Sequence, residues 1–392
     1  MIAVHVPGLR ATVCALGVAQ IVSWGTLFYS IAVLGPPMAR SLQVGDVALY
    51  GSFTLGLLVS GLASPWIGRR IDRGDSRRVL AGGSALGAAA CVILAAASNG
   101  ATMLAGWLVA GLAMSACLYD PAFATLHRIA GPSYRRAVTA VTLFGGFAST
   151  VFWPLSQYLL ESHGWRAAFA VHAALNAVVC VPLHLAFVRA APRVPPPPPA
   201  AAGPDERVAA SDAFVWLAAA FSIAAFLASA VSAHLVVLLA AGGLAARDAV
   251  LVGALIGPMQ VAGRAMELAW SHRASPFGVG TLAFALLATA LVLLFFVRGV
   301  WLFALLFALL YGWANGLMTI VRGTVPAALF GSRDFGTLLG KLAQPQFILK
   351  ALAPVLLTLI FHVDASRMTA LGILAAAAIA ALLAFRRAIR HA

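Results

Sequence analysis

The chain has 392 residues, 62% of them hydrophobic and only 10% charged, a balance that excludes an ordinary water-soluble domain and suits a bundle of membrane-spanning helices. Its formal net charge of +14 would suggest nucleic acid in a soluble protein. Here the arginines gather in short loops between apolar segments, so membrane topology accounts for them and no nucleic-acid partner is required.

A span takes about 20 apolar residues, and the chain divides into twelve such segments. An open sheet is excluded, because the bilayer offers no water to unpaired backbone groups. The first segment, 11–34, is too long for the apolar stretch of a cleavable signal and runs on into further spans, so it reads as helix 1 itself. It carries Gln20, Ser23, Trp24, Tyr29 and Ser30. These polar and aromatic groups suit a cavity wall, with Gln20, Trp24 and Tyr29 as candidate substrate ligands.

The second and third segments, 46–68 and 79–98, flank the stretch GLASPWIGRRIDRGDSRR at 61–78, which packs five arginines into a short loop. Charge at the bilayer centre costs at least ~2.5 kcal/mol per Arg, and short cytoplasmic loops collect Lys and Arg, so this loop is expected in the cytoplasm. The fourth segment, 102–125, contains Asp120 before Pro121, suited to carry a proton or to pair with an arginine. The fifth, 136–160, adds Ser149, Thr150 and Trp153, of which Thr150 and Trp153 extend the expected cavity wall. His163, Gly164, Trp165 and Arg166 open the sixth, 166–188.

Residues 189–211 break the apolar pattern with five consecutive prolines and the adjacent acids Asp205 and Glu206. Such a run makes an extended spacer. The expected organisation is a six-helix half over 1–189, a cytoplasmic linker over 190–211 and a second six-helix half over 212–392.

In the second half, 212–240 contains the intramembrane His234, read as a packing residue or a coupling residue. Segment 248–270 places Gln260, Arg264 and Glu267 on one face. Arg264 either pairs locally with Glu267 or faces a central cavity, where its guanidinium fork suits a carboxylate. After 276–297, the segment 300–321 brings Asn315 and ends at Arg322, which is expected to reach for the interface. Segment 335–362 holds Lys350 well inside, with Gln344 and Gln346 on the approach. Only two lysines, Lys341 and Lys350, stand against 24 arginines. A desolvated lysine can lose its proton, so Lys350 is a candidate to bind an anion or exchange a proton. The last segment is 367–386.

With these spans, seventeen of the 26 basic residues fall on the side of the five-arginine loop and five on the other. That asymmetry places both termini in the cytoplasm. A shift of 200 residues lays Arg73 on Arg273, Gly131 on Gly331 and Pro154 on Pro354 at equivalent points of the two halves, as in a parallel repeat. Cys14, Cys91, Cys117 and Cys180 lie inside spans without paired spacing, so neither a disulfide framework nor a zinc site is indicated. They read as packing residues, or as a thiol cluster suited to a soft metalloid such as arsenite. No nucleophile with a base, metal spacing or phosphate loop appears, so an enzyme is not expected, nor a metal or cofactor.

Gly68, three residues, Asp72, Arg73, Gly74, Arg77 and Arg78 resemble the loop between helices 2 and 3 of major facilitator superfamily transporters. The HGWR start of the sixth span and the twelve-span pattern are similar as well. The resemblance implies an all-α membrane protein of two pseudo-symmetric six-helix halves that works by alternating access. It implies that Gly68 lets helix 2 approach a neighbour, and that Asp72 sits near the start of helix 11 with Arg73 and Arg128 as counter-ions, locking the cytoplasmic ends of the halves. Asp120, Glu267 and His234 join these as coupling or gating candidates. The second-half Arg264 loosely resembles the substrate arginine of monocarboxylate-porter-like members, though Gln260 stands where they have an acid.

The expected function is secondary transport of a small organic anion, coupled to protons, by a monomer in a bacterial cytoplasmic membrane. Arg264, Lys350, Gln260, Asn315, Gln20, Trp24, Tyr29, Thr150 and Trp153 are its expected ligands. The alternatives are efflux of drugs, metabolites or a metalloid species through the same fold, and a receptor or scaffold that has lost transport.

Overall fold

Helix follows helix through short turns, with no strand among the described residues. The structure, a computed structural model, describes residues 8–188, 211–241, 243–270, 273–297, 299–331, 334–363 and 368–390. In chain order the helices are α1 (Leu9–Ser41), α2 (Asp46–Arg70), α3 (Ser76–Ala95), α4 (100–130), α5 (134–163), α6 (165–187), α7 (Asp212–Ala241), α8 (Ala246–Trp270), α9 (Pro276–Phe295), α10 (Trp301–Phe330), α11 (Phe335–Val363) and α12 (Met368–Arg390). Each falls on one of the twelve segments expected from hydropathy. Eight helical runs among the described residues are long and apolar enough to cross a membrane, and two of these, Asp46–Ala95 and Gly100–Phe187, are compound.

Local chemistry explains the breaks. α1 widens into a π-helical turn over Trp24–Tyr29, and α6 does so over Asn176–Cys180. α4 breaks at Leu118, three residues before Pro121, whose missing N–H leaves the Cys117 carbonyl without its helical donor. α5 and α6 meet at Gly164, where φ is 81°. α10 runs on to Phe330 through Pro326, so Arg322 does not close it as the sequence suggested. Instead Arg322 is half-buried two turns earlier, with its guanidinium 5.9 Å from the Phe347 ring centre.

The chain falls into two compact units, Met1–Ala200 with Ser332–Gln344, and Ala201–Gly331 with Pro345–Ala392. The first ten residues of α11 thus group with the first unit. The linker expected over 190–211 lies outside the described residues except for Ser211.

In the first unit α3 and α2 pack against α4. A Cβ at Gly56 or Gly111 would lie 2.4 Å from Trp107 O or 1.9 Å from Gly56 O, so the α2–α4 contact is backbone on backbone, the close approach small residues permit in a membrane. Buried polar ties hold α6: Asn176 Nδ2 donates to Thr26 Oγ1 on α1 (2.8 Å), Ser156 Oγ on α5 meets the His172 ring (3.2 Å), and Ser84 Oγ on α3 meets His184 Nδ1 (3.1 Å). In the second unit α9 packs along α10, α8 also packs on α10, and α7 and α9 both pack on α12. Phe284 stacks on Phe385 (4.7 Å) at the α9–α12 contact.

Candidate functional site

The loop after α2 turns sharply because Gly74 takes φ 97°, a left-handed conformation that costs other residues roughly 1–2 kcal/mol. The turn brings Asp72 against the first turn of α11. There Asp72 Oδ1 accepts the Gly336 N–H at 2.8 Å, and Oδ2 accepts the Thr337 N–H at 2.7 Å and the Thr337 hydroxyl at 2.8 Å. First-turn N–H groups have no acceptor within their own helix, and the helix dipole favours an anion at that end, so the carboxylate and the helix start complete each other.

Asp72 is 6% exposed. Burial pushes this loop carboxyl above the usual carboxylate range, and the Thr337 and Gly336 donors pull it back. Its hydrogen-bond donors are neutral, which corrects the expectation of arginine counter-ions. Arg73 is exposed, and Arg128 Nη1 donates to the main-chain carbonyl of Asp72.

The crossing of α2 with the start of α11 is tight enough to require glycine. A Cβ at Gly68 would lie 2.0 Å from Gly336 O, and one at Gly340 would lie 2.4 Å from Ser64 O. Asp120 opens the second part of α4 and lines a narrow gap with Ser64, Gly68, Ser115, Gly336 and Gly340. His127 stacks on Phe335 with ring centres 4.0 Å apart, and Tyr134 meets the same ring edge-on at 6.0 Å. Sequence reasoning passed over Gly336, Thr337 and Gly340. The available signal was the small-x-x-x-small spacing of Gly336 and Gly340, matched by Ser64 and Gly68 on α2.

Elsewhere in the first unit Tyr119, Trp24, Tyr29 and Trp153 form a continuous aromatic run, with successive ring centres 5.1, 6.2 and 5.9 Å apart. Trp24 and Tyr29 are half-buried and bracket the π-helical turn of α1, while Thr150 and Trp153 are exposed on α5. Gln20 departs from its expected place in the cavity wall. It is fully buried, its Nε2 donates to Cys117 O at 2.8 Å, and its Oε1 accepts the Trp24 Nε1–H at 3.1 Å. It therefore supplies the donor that Pro121 denies to Cys117 and steadies Trp24 from behind.

In the second unit Arg264 and Glu267 are both buried, 4% and 5% exposed, on one face of α8. Arg264 Nε donates to Thr319 Oγ1 on α10 at 3.2 Å. Gln260 is half-buried where α8 meets α10, its carbonyl 2.3 Å from the place a Gly316 Cβ would take. Asn315 Nδ2 donates to the Tyr311 carbonyl of its own helix at 2.9 Å. Lys350 is half-buried on α11, and its carbonyl accepts Ser229 Oγ of α7 at 2.7 Å. His234 lies edge-on to Phe361 (5.3 Å) with Nδ1 3.3 Å from Ala230 O, a packed position. Cys14 is exposed while Cys91, Cys117 and Cys180 are buried, and no group of His, Cys, Asp and Glu among the described residues is placed to hold a metal ion.

The family model described as Major Facilitator Superfamily matches residues 16–288. The human organic anion transporter MFSD10 (TETRAN) is similar in structure with a TM-score of 0.74 at 17% identity, covering 97% of this chain and 100% of that one. FucP, a Major Facilitator Superfamily transporter in the outward conformation, gives a TM-score of 0.72 at 16% identity, covering 97% and 99%. The purine ribonucleoside efflux pump NepI of Escherichia coli O1:K1 and of Shigella sonnei is 26% identical over 145 residues. That match spans 37% of this chain and 36% of the relative. The structural likenesses carry the fold, the family model carries the kinship, and the chain belongs to the Major Facilitator Superfamily of membrane transporters.

Proposed function

We propose that the protein is a secondary active transporter that moves a small organic anion across the cytoplasmic membrane by alternating access, with Arg264 and Lys350 as anion ligands and a proton as coupling ion. The observation that supports it most is the buried guanidinium of Arg264. An ionised group inside a membrane helix is costly and marks a pathway more often than a scaffold. Thr319 fixes one edge of that guanidinium, which orients the fork before a carboxylate arrives. Lys350, one of only two lysines in the chain, supplies a second positive charge in the same unit. In this reading the Asp72 clasp on α11 is the cytoplasmic gate, both termini lie in the cytoplasm and the monomer is the working unit.

A second reading has its own observation. The aromatic run of Tyr119, Trp24, Tyr29 and Trp153 suits a planar aromatic solute, and the partial likeness to a nucleoside efflux pump points the same way.

Uptake of small carboxylates into proteoliposomes separates the two. Truncating one partner of a desolvated charge pair costs about 2–5 kcal/mol. Arg264→Ala and Lys350→Ala should therefore each abolish anion transport, and Trp153→Ala, which removes no charge, should weaken it less. Folded Arg264→Ala and Lys350→Ala variants with full transport, together with loss in Trp153→Ala, would overturn the anion reading in favour of the aromatic one.

A further inference from the structure

At the end of the first unit opposite the arginine loop, a groove of ≈480 Å³ opens between the last turn of α3 and the first turns of α6. Ala95, Ala96, Ala167, Ala170 and Ala173 line it, Val92 edges it at 55% exposure, and Arg166 stands at its mouth. Five alanines leave the groove open because none has a side chain long enough to fill it. Apart from Arg166 its walls offer hydrocarbon, so water is a poor occupant.

Arg166 is the unusual element. Basic residues collect at the other end of this unit, and here Arg166 has only Arg40 for company in the sequence reading of the spans. Its guanidinium is fixed twice: Nη2 donates to Ala97 O at 2.9 Å, and Cζ sits 4.1 Å over the Trp165 ring. A planar cation held in this way presents its remaining N–H groups in a set direction, the arrangement that recognises phosphate oxygens. Arg166 is exposed at the start of a span, where a long basic side chain reaches the headgroup level. Charge and shape together call for a ligand with an anionic phosphate at one end and a hydrocarbon chain at the other.

We propose that this groove is a binding site for an anionic phospholipid, with one acyl chain lying along the alanines and the phosphate on Arg166. The proposal depends on the membrane placement of α3 and α6 and is independent of the substrate reading. A single Arg contact with an anionic headgroup accounts for about a fivefold preference over a neutral one.

The test is native mass spectrometry of the full chain in detergent, titrated with phosphatidylglycerol or with phosphatidylcholine of the same chains. The parent protein should retain phosphatidylglycerol about fivefold better. Arg166→Gln should erase that preference, Arg166→Lys should keep part of it, and Ala170→Leu, which fills the groove, should weaken both lipids. Equal retention of the two lipids by the parent, a preference untouched by Arg166→Gln, or retention untouched by Ala170→Leu, overturns the proposal. Equal protection by soluble glycerol phosphate does so too, because it would show a headgroup site without a chain site.

Discussion

Replacing Asp72 by Asn keeps the size of the side chain and one acceptor oxygen, but turns the other oxygen into an NH2 group. In the native clasp Oδ1 serves the Gly336 N–H and Oδ2 serves the Thr337 N–H and hydroxyl. An amide satisfies only one of those sides, so one first-turn N–H must face a second donor. Neither N–H can turn to its own helix for help. A buried, unsatisfied N–H costs ~1–3 kcal/mol, and the surviving bond falls from charge-assisted to neutral strength, about 1 kcal/mol more. An uncharged side chain recovers part of the desolvation cost at 6% exposure.

The balance is roughly 2–3 kcal/mol against the clasp, or about a 30- to 150-fold shift toward the open form. Hydrogen exchange reads it directly, since Asp72 is what protects the amides of Gly336 and Thr337. Their exchange in Asp72→Asn should accelerate by about that factor while the amides of α3 stay protected. Spin labels at Arg77→Cys and Lys341→Cys should report a second, longer distance. A folded Asp72→Asn protein with unchanged exchange at Gly336 and Thr337 would refute the reasoning, because the helix start would then be held by something else.

Gly68→Ala should open the same clasp by a steric route: its Cβ would sit 2.0 Å from Gly336 O, a backbone atom that cannot swing aside, so the same exchange assay should show acceleration at least as large as in Asp72→Asn. Gln20→Leu removes the donor to Cys117 O and the acceptor for Trp24. It should cost about 1–3 kcal/mol of stability, seen as a lower melting temperature, and should leave the Asp72-dependent exchange unchanged.

The sequence showed the helices and the turn, since both depend on local chemistry: apolar runs of spanning length, and glycine where φ is positive. It showed partners poorly. Asp72 and Thr337 are 265 positions apart, and nothing local to either residue names the other. The expectation of Arg73 and Arg128 as counter-ions followed from the resemblance, yet Arg73 is exposed to water, Arg128 donates to the main-chain carbonyl of Asp72, and helix α11 supplies neutral donors to the carboxylate instead. Gln20 was misread because a polar residue in a span suggests a cavity. Its actual partner, the Cys117 carbonyl, exists because of a proline on another helix. Arg322 was placed at a helix end because the apolar run was read as ending at 321, but the α10 helix continues to Phe330.

The choice of donors bears on how a gate of this kind can work. Breaking a buried pair of full charges leaves an uncompensated ion and costs about 3–5 kcal/mol or more, a poor design for a contact that must open in every proposed transport cycle. The Asp72 clasp pairs its carboxylate with two backbone N–H groups and a hydroxyl, and when it opens each of these can find water at the membrane surface. The arginines of the loop remain exposed and free to set topology. The glycines at Gly68, Gly336 and Gly340 bring the backbones close enough for the carboxylate to reach, and they contribute contact area without side chains that must be reordered on closing. In the proposed reading topology and gating thus rest on different residues of one short loop: substitutions at Asp72 and Gly68 should change the clasp without disturbing insertion, and substitutions of the exposed arginines should change insertion without touching the clasp.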